Sequence, residues 1–213
     1  MIQYHKIQTV YLRDPKTRYK TLLEGTWSKP EFGYLKNNDW MWTEKVDGTN
    51  IRIMWDGKLI TFGGKSDNAQ IPSFLVNRLN ELFEGTRGRI KFKELFGVEG
   101  GVCLYGEGYG AKIQTGGDYI PDGQDFILFD VNIGDVWLER ENVEDISKKL
   151  GIDVVPMVGK GTLLEAVEKV RDGFDSPIGK AKSEGLVLRP MVEMKNRRGE
   201  RIITKIKHKD FND

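Results

Sequence analysis

Short apolar runs, each bounded by glycine or a polar turn, constrain the fold of this chain more than any other feature. Ile51, Ile53 and Trp55 occupy alternate positions, Asp56-Gly57 interrupts the run, and residues 59–62 (LITF) follow. Alternation with period two is typical of a strand, and Asp-Gly tolerates the positive φ angles of a tight hairpin. We therefore predict two strands joined by a two-residue turn.

The remaining apolar runs predict further strands and three helices. Short runs without helical spacing predict strands at residues 102–105, 126–129, 186–188 and 202–203. Helical spacing predicts helices at 75–83 with Ser73 as cap, at 143–150 before Gly151, and at 164–170 between a Thr162/Glu165 capping box and Gly173. Strands come in runs without a strict strand–helix–strand rhythm. This favours an α+β fold with largely antiparallel sheets and flanking helices.

Composition excludes several classes of protein and leaves others open. The 213 residues suit one domain, and 33 basic against 32 acidic residues give a formal net charge of +1, so any nucleic-acid surface has to be local. Cys103 is the only cysteine, which excludes a disulfide framework and a thiolate metal cluster. No apolar run approaches the ~20 residues of a membrane span. We expect a cytoplasmic protein without a membrane partner, and the sequence carries no signal for oligomeric state.

The segment at residues 43–50 (TEKVDGTN), directly before the predicted hairpin, offers a candidate nucleophile. The Lys45 amine attacks phosphorus only when neutral, whereas the ordinary pKa of lysine is about 10.4. Neighbouring cations or a metal ion would favour the neutral form. Gly48 leaves room for the backbone to approach a nucleotide. Alone, however, the pattern Lys-x-Asp-Gly is too short to distinguish a nucleophile from a surface lysine beside a turn.

Four later segments change that balance because of their order: 105–108 (YGEG), 126–131 (FILFDV), 183–190 (SEGLVLRP) and 205–207 (KIK). Glu107 and Glu184, each beside glycine, offer carboxylates to Mg²⁺ and ribose hydroxyls. Lys205 and Lys207 share one face of a strand and would present paired positive charge to a triphosphate. Taken singly, the two glutamates are ordinary strand-edge carboxylates and Phe129 is a core aromatic. Taken in order, they favour a functional site.

In this order the five segments resemble the motifs of covalent nucleotidyltransferases, the superfamily of ATP-dependent DNA ligases, RNA ligases and mRNA capping enzymes. The sequence is most similar to phage ATP-dependent RNA ligases of the RNA ligase 2 type, from about Thr43 to Lys209. The resemblance implies a ligase-type adenylyltransferase domain over 1–213, with an N-terminal cap at 1–42 and a motif-bearing core at 43–209. Ligases of this superfamily usually carry a further C-terminal domain, often an OB fold, and we expect none here because the sequence stops a few residues past Lys207. The resemblance also implies a phage-infected bacterial cell as the setting.

The resemblance also implies a role for each matching residue. Lys45 would become covalently adenylylated, and Lys205 and Lys207 would touch the phosphates. Glu44 would lie near the adenine and Phe129 would stack on it. Asn50 would take part in nick sealing. Glu107 would hold the ribose or the metal, and Glu184 would bind the metal.

Two positions depart from the family pattern. The motif after the hairpin usually offers an arginine to the incoming phosphate, and here it offers Lys65, which keeps the charge and loses the bidentate fork. RNA ligase 2 has a histidine at the position of Asp47. DNA ligases and other RNA ligases have an aspartate there, as this chain does.

The leading expectation is an ATP-dependent RNA ligase using ATP and Mg²⁺, with Mn²⁺ as a substitute, on RNA (or DNA) ends that carry a 5′-phosphate and a 3′-hydroxyl. A minimal ATP-dependent DNA ligase would use the same motifs, and a capping guanylyltransferase fits less well. An end-binding module without turnover is the alternative from another class. Residues 195–209 hold seven basic residues, which predict either a solvated face or a polynucleotide track.

Overall fold

The computed structural model describes residues 3–211, which divide into two compact units. Unit 1 comprises residues 3–5 and 47–155, and unit 2 comprises residues 6–46 and 156–211. Residues 6–42 thus share a unit with the C-terminal segment. The single adenylyltransferase domain with a cap at 1–42 remains a prediction, and its end points, residues 1 and 213, lie outside the described residues.

Unit 1 is built on one sheet of six strands in the order β10-β8-β7-β5-β6, with β9 beside β8. Its strands are β5 (Thr49–Trp55), β6 (Ile60–Gly63), β7 (Val102–Gly110), β8 (Gln124–Ile133), β9 (Val136–Trp137) and β10 (Asp153–Val154). Its helices are α2 (Ser73–Phe83), α3 (Gly85–Phe96) and α4 (Arg140–Leu150). The helices and one sheet face enclose an apolar core around Ile51, Leu104 and Leu128.

The predicted hairpin is confirmed as β5 and β6, but its turn differs from the prediction. Trp55 pairs with Ile60, so four residues connect the strands instead of two. The Asp56 carboxylate accepts the Lys58 and Leu59 N–H groups at 2.8 and 2.7 Å, which widens the loop.

Helix α2 is confirmed with Leu75, Leu79 and Phe83 buried, although its cap is Pro72 and Ser73 is its first residue. Helix α4 ends before Gly151, as predicted, and Gly151 adopts the left-handed conformation. Helix α3 is not predicted by the sequence, because Gly85 and Gly88 lie within it and its apolar stripe is short.

Unit 2 contains a five-stranded sheet in the order β1-β13-β12-β4-β11 and a separate two-stranded sheet. Its strands are β1 (Gln8–Thr9), β2 (Tyr11–Arg13), β3 (Leu22–Trp27), β4 (Trp40–Glu44), β11 (Met157–Gly161), β12 (Gly185–Pro190) and β13 (Thr204–Lys207). Its α-helices are α1 (Pro30–Tyr34) and α5 (Leu163–Asp172). Trp40, Leu186 and Ile206 are fully buried in its core.

Two predictions from the sequence concern the ends of elements in unit 2. Both hydrogen bonds of the Thr162–Glu165 capping box are present at the start of α5, and Gly173 caps its end. The strand predicted at residues 202–203 is wrong by two residues, since the strand begins at Thr204 and Ile202 and Ile203 are buried directly before it.

All three sheets are antiparallel except where β10 pairs with β8 and β1 pairs with β13. The α+β class with largely antiparallel sheets and flanking helices is therefore confirmed. In residues 3–211, no helix has the length and apolar character that a bilayer crossing requires.

Candidate active site

Lys45 follows directly on β4, a strand whose five residues are all buried. The Lys45 N–H group donates to the Gly185 carbonyl at 2.9 Å, so the residue continues the ladder between β4 and β12. Strand side chains alternate between faces. The buried Glu44 and the half-buried Lys45 accordingly leave β4 on opposite sides.

The Lys45 amine ends in an ion pair with Glu184, whose carboxylate also binds Lys207. Lys45 Nζ lies 2.5 Å from Glu184 Oε2, and Lys207 Nζ lies 2.5 Å from Glu184 Oε1. The three side chains are 21%, 13% and 18% exposed for Lys45, Glu184 and Lys207. One carboxylate is therefore the shared counterion of two partly buried ammonium groups. We call these three residues the lysine–glutamate cluster.

The backbone at Gly185 brings Glu184 into this cluster. In a regular strand Glu184 would share a face with Leu186, which is fully buried in the core. Gly185 has a φ of 152°, and a Cβ there would lie 2.1 Å from the Ile206 carbonyl oxygen. Only glycine fits this close approach of β12 to β13, and the irregularity directs the carboxylate toward the two lysines.

Strand β13 presents its two lysines as the spacing predicts. Thr204 and Ile206 are fully buried, whereas Lys205 and Lys207 are half-buried, so the lysines share the opposite face. Lys207 joins the lysine–glutamate cluster, and Lys205 lies across from Val187 of β12.

Glu44 lies apart from this cluster. It is 2% exposed, and the Ser176 hydroxyl donates to its Oε2 at 2.9 Å. The hydroxyl oxygen also accepts the Ile178 N–H at 2.9 Å, which fixes Ser176 against the carboxylate. The structure thus does not bring Glu44 together with Lys45, and its role near the adenine stays a prediction.

In unit 1, Asn50 and Glu107 are directly opposed across β5 and β7. Within the described part of the chain, the buried Oδ1 atom of Asn50 accepts no hydrogen bond. A buried amide oxygen without a donor is unfavourable in the protein alone and is suited to a ligand that supplies one.

Glycines on either side of Glu107 let the core approach the strand. A Cβ at Gly106 would lie 2.3 Å from the Phe126 ring, and one at Gly108 would lie 2.4 Å from Leu75. Gly48 has a similar function, because a Cβ there would lie 2.3 Å from the Gly108 carbonyl oxygen. The structure therefore explains Gly48 by strand packing, and its predicted role in the approach of a nucleotide stays a prediction.

Phe126 and Phe129 have different environments on the same strand. Phe126 is 1% exposed in the core, whereas Phe129 is half-exposed. Gly106 pairs with Leu128 and Tyr105 pairs with Asp130, so a bulge leaves Phe129 as the extra residue. Its ring contacts that of Tyr4 at 5.0 Å between centroids, edge to face.

Lys65 is exposed in the loop after β6, and Arg52 holds that loop in place. Buried in β5, Arg52 donates from Nε to the Gly64 carbonyl and from Nη2 to Asp67 Oδ1, both at 2.8 Å. The hydrogen bond from Arg52 lowers the pKa of Asp67. Arg52 is thus a positioning residue for the loop that carries Lys65.

The sequence matches the family model for RNA ligase over residues 38–207, most of the chain. The chain belongs to the RNA ligase family, whose members are of the covalent nucleotidyltransferase type. Among curated proteins, no significant match to the sequence was found.

Solved structures of Naegleria gruberi RNA ligase share the fold of this family member. An apo mutant superposes with a TM-score of 0.68 at 17% identity, covering 99% of this chain and 56% of that chain. A mutant with ATP and Mn gives 0.69 at 17% identity, covering 97% and 56%. The form with PPi gives 0.65 at 19% identity, also covering 97% and 56%. The chain thus spans little more than half the length of these proteins, and at such identity the likeness shows the fold alone.

Several residues that contact the candidate site of this RNA ligase family member were not predicted from the sequence. Ser176 contacts Glu44 across 132 positions of sequence, and Thr115 donates from its backbone N–H (3.4 Å) and its hydroxyl to Asp47 Oδ2. Arg52 alternates with Ile51 and Ile53, a pattern that predicts a solvent-facing side chain and not the buried one observed. Ser176 and Thr115 leave no local signal.

Proposed function

We propose that this protein is an ATP-dependent polynucleotide ligase, and an RNA ligase by preference, that carries AMP on Lys45. The family match supports this proposal. The observation that carries it is the lysine–glutamate cluster, in which Lys45 Nζ is held 2.5 Å from a carboxylate that also binds Lys207. A nucleophile and its charged neighbours are thus held by three adjacent strands of one sheet.

The first step forms a bond between Lys45 Nζ and the α-phosphorus of ATP and breaks the bond to pyrophosphate. The amine must lose one proton, and it must also leave its ion pair, because an ammonium group has no lone pair for attack. Lys205 and Lys207 would bind phosphate oxygens as negative charge builds up on them. AMP would then pass to a polynucleotide 5′-phosphate, and a 3′-hydroxyl would displace it.

A divalent cation fits this donor set. In residues 3–211 no group of three or more His, Cys, Asp or Glu side chains could form a metal cage. Mg²⁺ typically takes one or two protein carboxylates and completes its shell with phosphate oxygens and water. Glu184 offers one carboxylate beside the nucleophile, and Mg²⁺ there would offset phosphate charge and replace the ammonium as its counterion. Solved relatives carry ATP or AMP with Mn, and we propose the same cofactors here.

The remaining roles are proposed from the resemblance. Asn50 and Glu107, paired across their strands, would contact the ribose, the metal or the nick. The half-exposed ring of Phe129 would stack on the adenine. Lys65, on the loop that Arg52 holds, would contact the incoming phosphate.

The test is covalent labelling of the intact protein. With ATP and Mg²⁺, the wild-type protein should gain the mass of one AMP, and peptide mapping should place it on Lys45. Lys45→Ala should gain none, whereas Lys160→Ala, which removes an exposed lysine of the same unit, should label normally. Unmodified wild-type protein, or AMP on another side chain, contradicts the proposal.

The substrate is tested in a second stage. The adenylylated protein is mixed with RNA and DNA ends that carry 5′-phosphate and 3′-hydroxyl groups, as single strands and as nicked duplexes. We expect joining of RNA ends. Joining of DNA nicks alone would make the protein a DNA ligase, and binding of ends without lysyl-AMP would make it an end-binding module.

A further inference from the structure

A basic concave surface lies in unit 2 beside the lysine–glutamate cluster. It encloses about 800 Å³. Its charged lining consists of six cations and the Asp210 carboxylate, the cations being Lys6, Arg13, Lys20, Lys205, Lys207 and Lys209. We call it the basic groove. Three of these cations come from the first 20 residues, which the sequence pattern does not connect with the C-terminal lysines.

Arg13 neutralises the acidic group of the groove and orders its rim. Arg13 Nη2 lies 2.6 Å from Asp210 Oδ1, and Asp210 Oδ2 accepts the Lys207 N–H at 3.1 Å. Arg13 Nη1 donates to the carbonyl groups of Tyr19 and Lys20 at 3.3 and 3.2 Å. One guanidinium therefore ties the loop that carries Tyr19 and Lys20 to Asp210, the third residue after β13.

Three cations of the basic groove are available to bind an external anion. Lys6, Lys20 and Lys209 are exposed, and within residues 3–211 none of them forms an ion pair. They can neutralise an external anion without breaking a contact inside the protein. A surface of this kind is suited to phosphate groups.

The rim also presents an aromatic ring to solvent. Tyr19 is 62% exposed and lies in an ordered turn, where its N–H donates to the Asp14 carbonyl at 2.9 Å. Arg18 and Tyr19 both have left-handed φ angles, 55° and 62°, which are uncommon for residues other than glycine. An exposed ring on a fixed turn beside free cations is the chemistry that binds single-stranded nucleic acid, with phosphates on the cations and a base on the ring.

We propose that the basic groove binds the backbone of a single-stranded polynucleotide, with Lys6, Lys20 and Lys209 on phosphates and Tyr19 stacked on an unpaired base. The proposal rests on the proposed function in taking this strand to be the one whose end is joined. Lys207 both lines the groove and pairs with Glu184, so a bound strand would run up to the candidate nucleophile. Pyrophosphate alone would use the cations and leave Tyr19 without a function.

A second concavity of unit 2 serves as a built-in control. It is lined by Tyr34, Arg198 and further cations, but also by Glu31 and by Glu200, which pairs with Lys29 at 3.0 Å. Tyr34 is 90% exposed. This surface matches the basic groove in residue types and differs in its acidic content.

The experiment measures binding of a fluorescent single-stranded RNA with a 5′-phosphate by anisotropy, without ATP and over a series of salt concentrations. Tyr19→Ala should weaken binding about fivefold or more and leave the salt slope unchanged, because a stacked base is lost but no charge. Lys20→Ala should lower the slope of log K against log salt by about 0.7. Tyr34→Ala and Arg198→Ala should bind as the wild type does.

Three results would overturn the proposal: Tyr19→Ala and Lys20→Ala bind normally, only the Tyr34 and Arg198 variants weaken binding, or a fully paired duplex shows the same dependence on Tyr19. Lys6→Ala repeats the charge test at a residue remote from the Arg13 contacts. AMP transfer from ATP to Lys45 should be normal in all variants. If the wild-type protein does not transfer AMP to Lys45, the proposed function is contradicted. The binding measurement would then still test whether the basic groove holds a single strand.

Discussion

The two units hold their predicted site residues in different ways. In unit 2 the charges pair with one another, since Glu184 binds both Lys45 and Lys207. In unit 1 the Asn50 Oδ1 atom is buried without a donor in the described chain, and the Phe129 ring is half-exposed. A ligand of unit 2 has to replace ion pairs that already exist, whereas a ligand of unit 1 would supply contacts that the protein does not make.

This difference separates stability from function. Paired charges stabilise the folded protein until a ligand exchanges with them, so their loss should affect both folding and activity. A buried polar atom without a partner does not stabilise the folded protein, so removal of such a side chain should affect ligand binding without lowering stability. Substitutions in the two units therefore test this difference.

The largest effect is expected for Glu184→Ala. Formation of lysyl-AMP should fall about 100-fold or more. The melting temperature should also fall, because two partly buried ammonium groups lose their shared counterion. The matched change in unit 1 is Asn50→Ala, which should impair AMP transfer or end joining without lowering the melting temperature. Equal destabilisation by both changes would remove the distinction between the units.

The two phenylalanines of β8 test the same distinction between stability and function inside unit 1. Phe126→Ala should lower the free energy of unfolding by about 3–5 kcal/mol, since it empties a core position. Phe129→Ala should cost much less, because its ring is already half in water, and should instead raise the ATP concentration needed for adenylylation. Urea unfolding and labelling at graded ATP measure the two quantities. A greater loss of stability in Phe129→Ala would contradict the assignment.

A smaller effect is expected for Gly185→Ala in unit 2. A methyl group would meet the Ile206 carbonyl oxygen, and the left-handed backbone is unfavourable for alanine. We expect a loss of about 2 kcal/mol or more in unfolding free energy, together with slower formation of lysyl-AMP as Glu184 shifts. Gly117→Ala is the control, since a Cβ there meets nothing within 4 Å. If the two variants unfold alike, the close approach at Gly185 is not needed.

The smallest effect at neutral pH is expected at Cys103. Burial raises the pKa of its thiol to about 11, against about 8.5 for a free cysteine. The folded state therefore holds this proton more tightly than the unfolded state. Its contribution to stability should persist below about pH 8.5 and decline as the pH rises toward 11. At pH 7 a thiol reagent should modify Cys103 only as fast as the protein unfolds, and rapid labelling of native protein would show that the thiol is accessible.

Local patterns in the sequence predicted much of the fold. The Thr162–Glu165 capping box and the left-handed Gly151 end lie within a few residues of the helices they bound. The shared face of Lys205 and Lys207 follows from the two-residue period of one strand. Such features need no knowledge of the partner strand, and for that reason they could be read from one sequence.

Features that depend on neighbouring strands were predicted less well. The β8 bulge that exposes Phe129 depends on the register with β7. The Ser176 contact with Glu44, and the basic groove that joins residues near 13 with residues near 207, depend on pairings between distant segments. For the run of basic residues at 195–209 the sequence predicted either a solvated face or a polynucleotide track. Arg201 instead forms an ion pair with Glu193 at 2.5 Å, and only part of the run lines the basic groove.

By itself, the sequence determined the α+β class, the order of the motifs and the set of candidate site residues, because these depend on residue type and short spacing. Tertiary structure alone decided which charges meet. Glu184 reaches Lys45 and Lys207 because the close approach of β12 to β13 at Gly185 redirects its carboxylate, and that approach results from strand pairing between segments far apart in the chain.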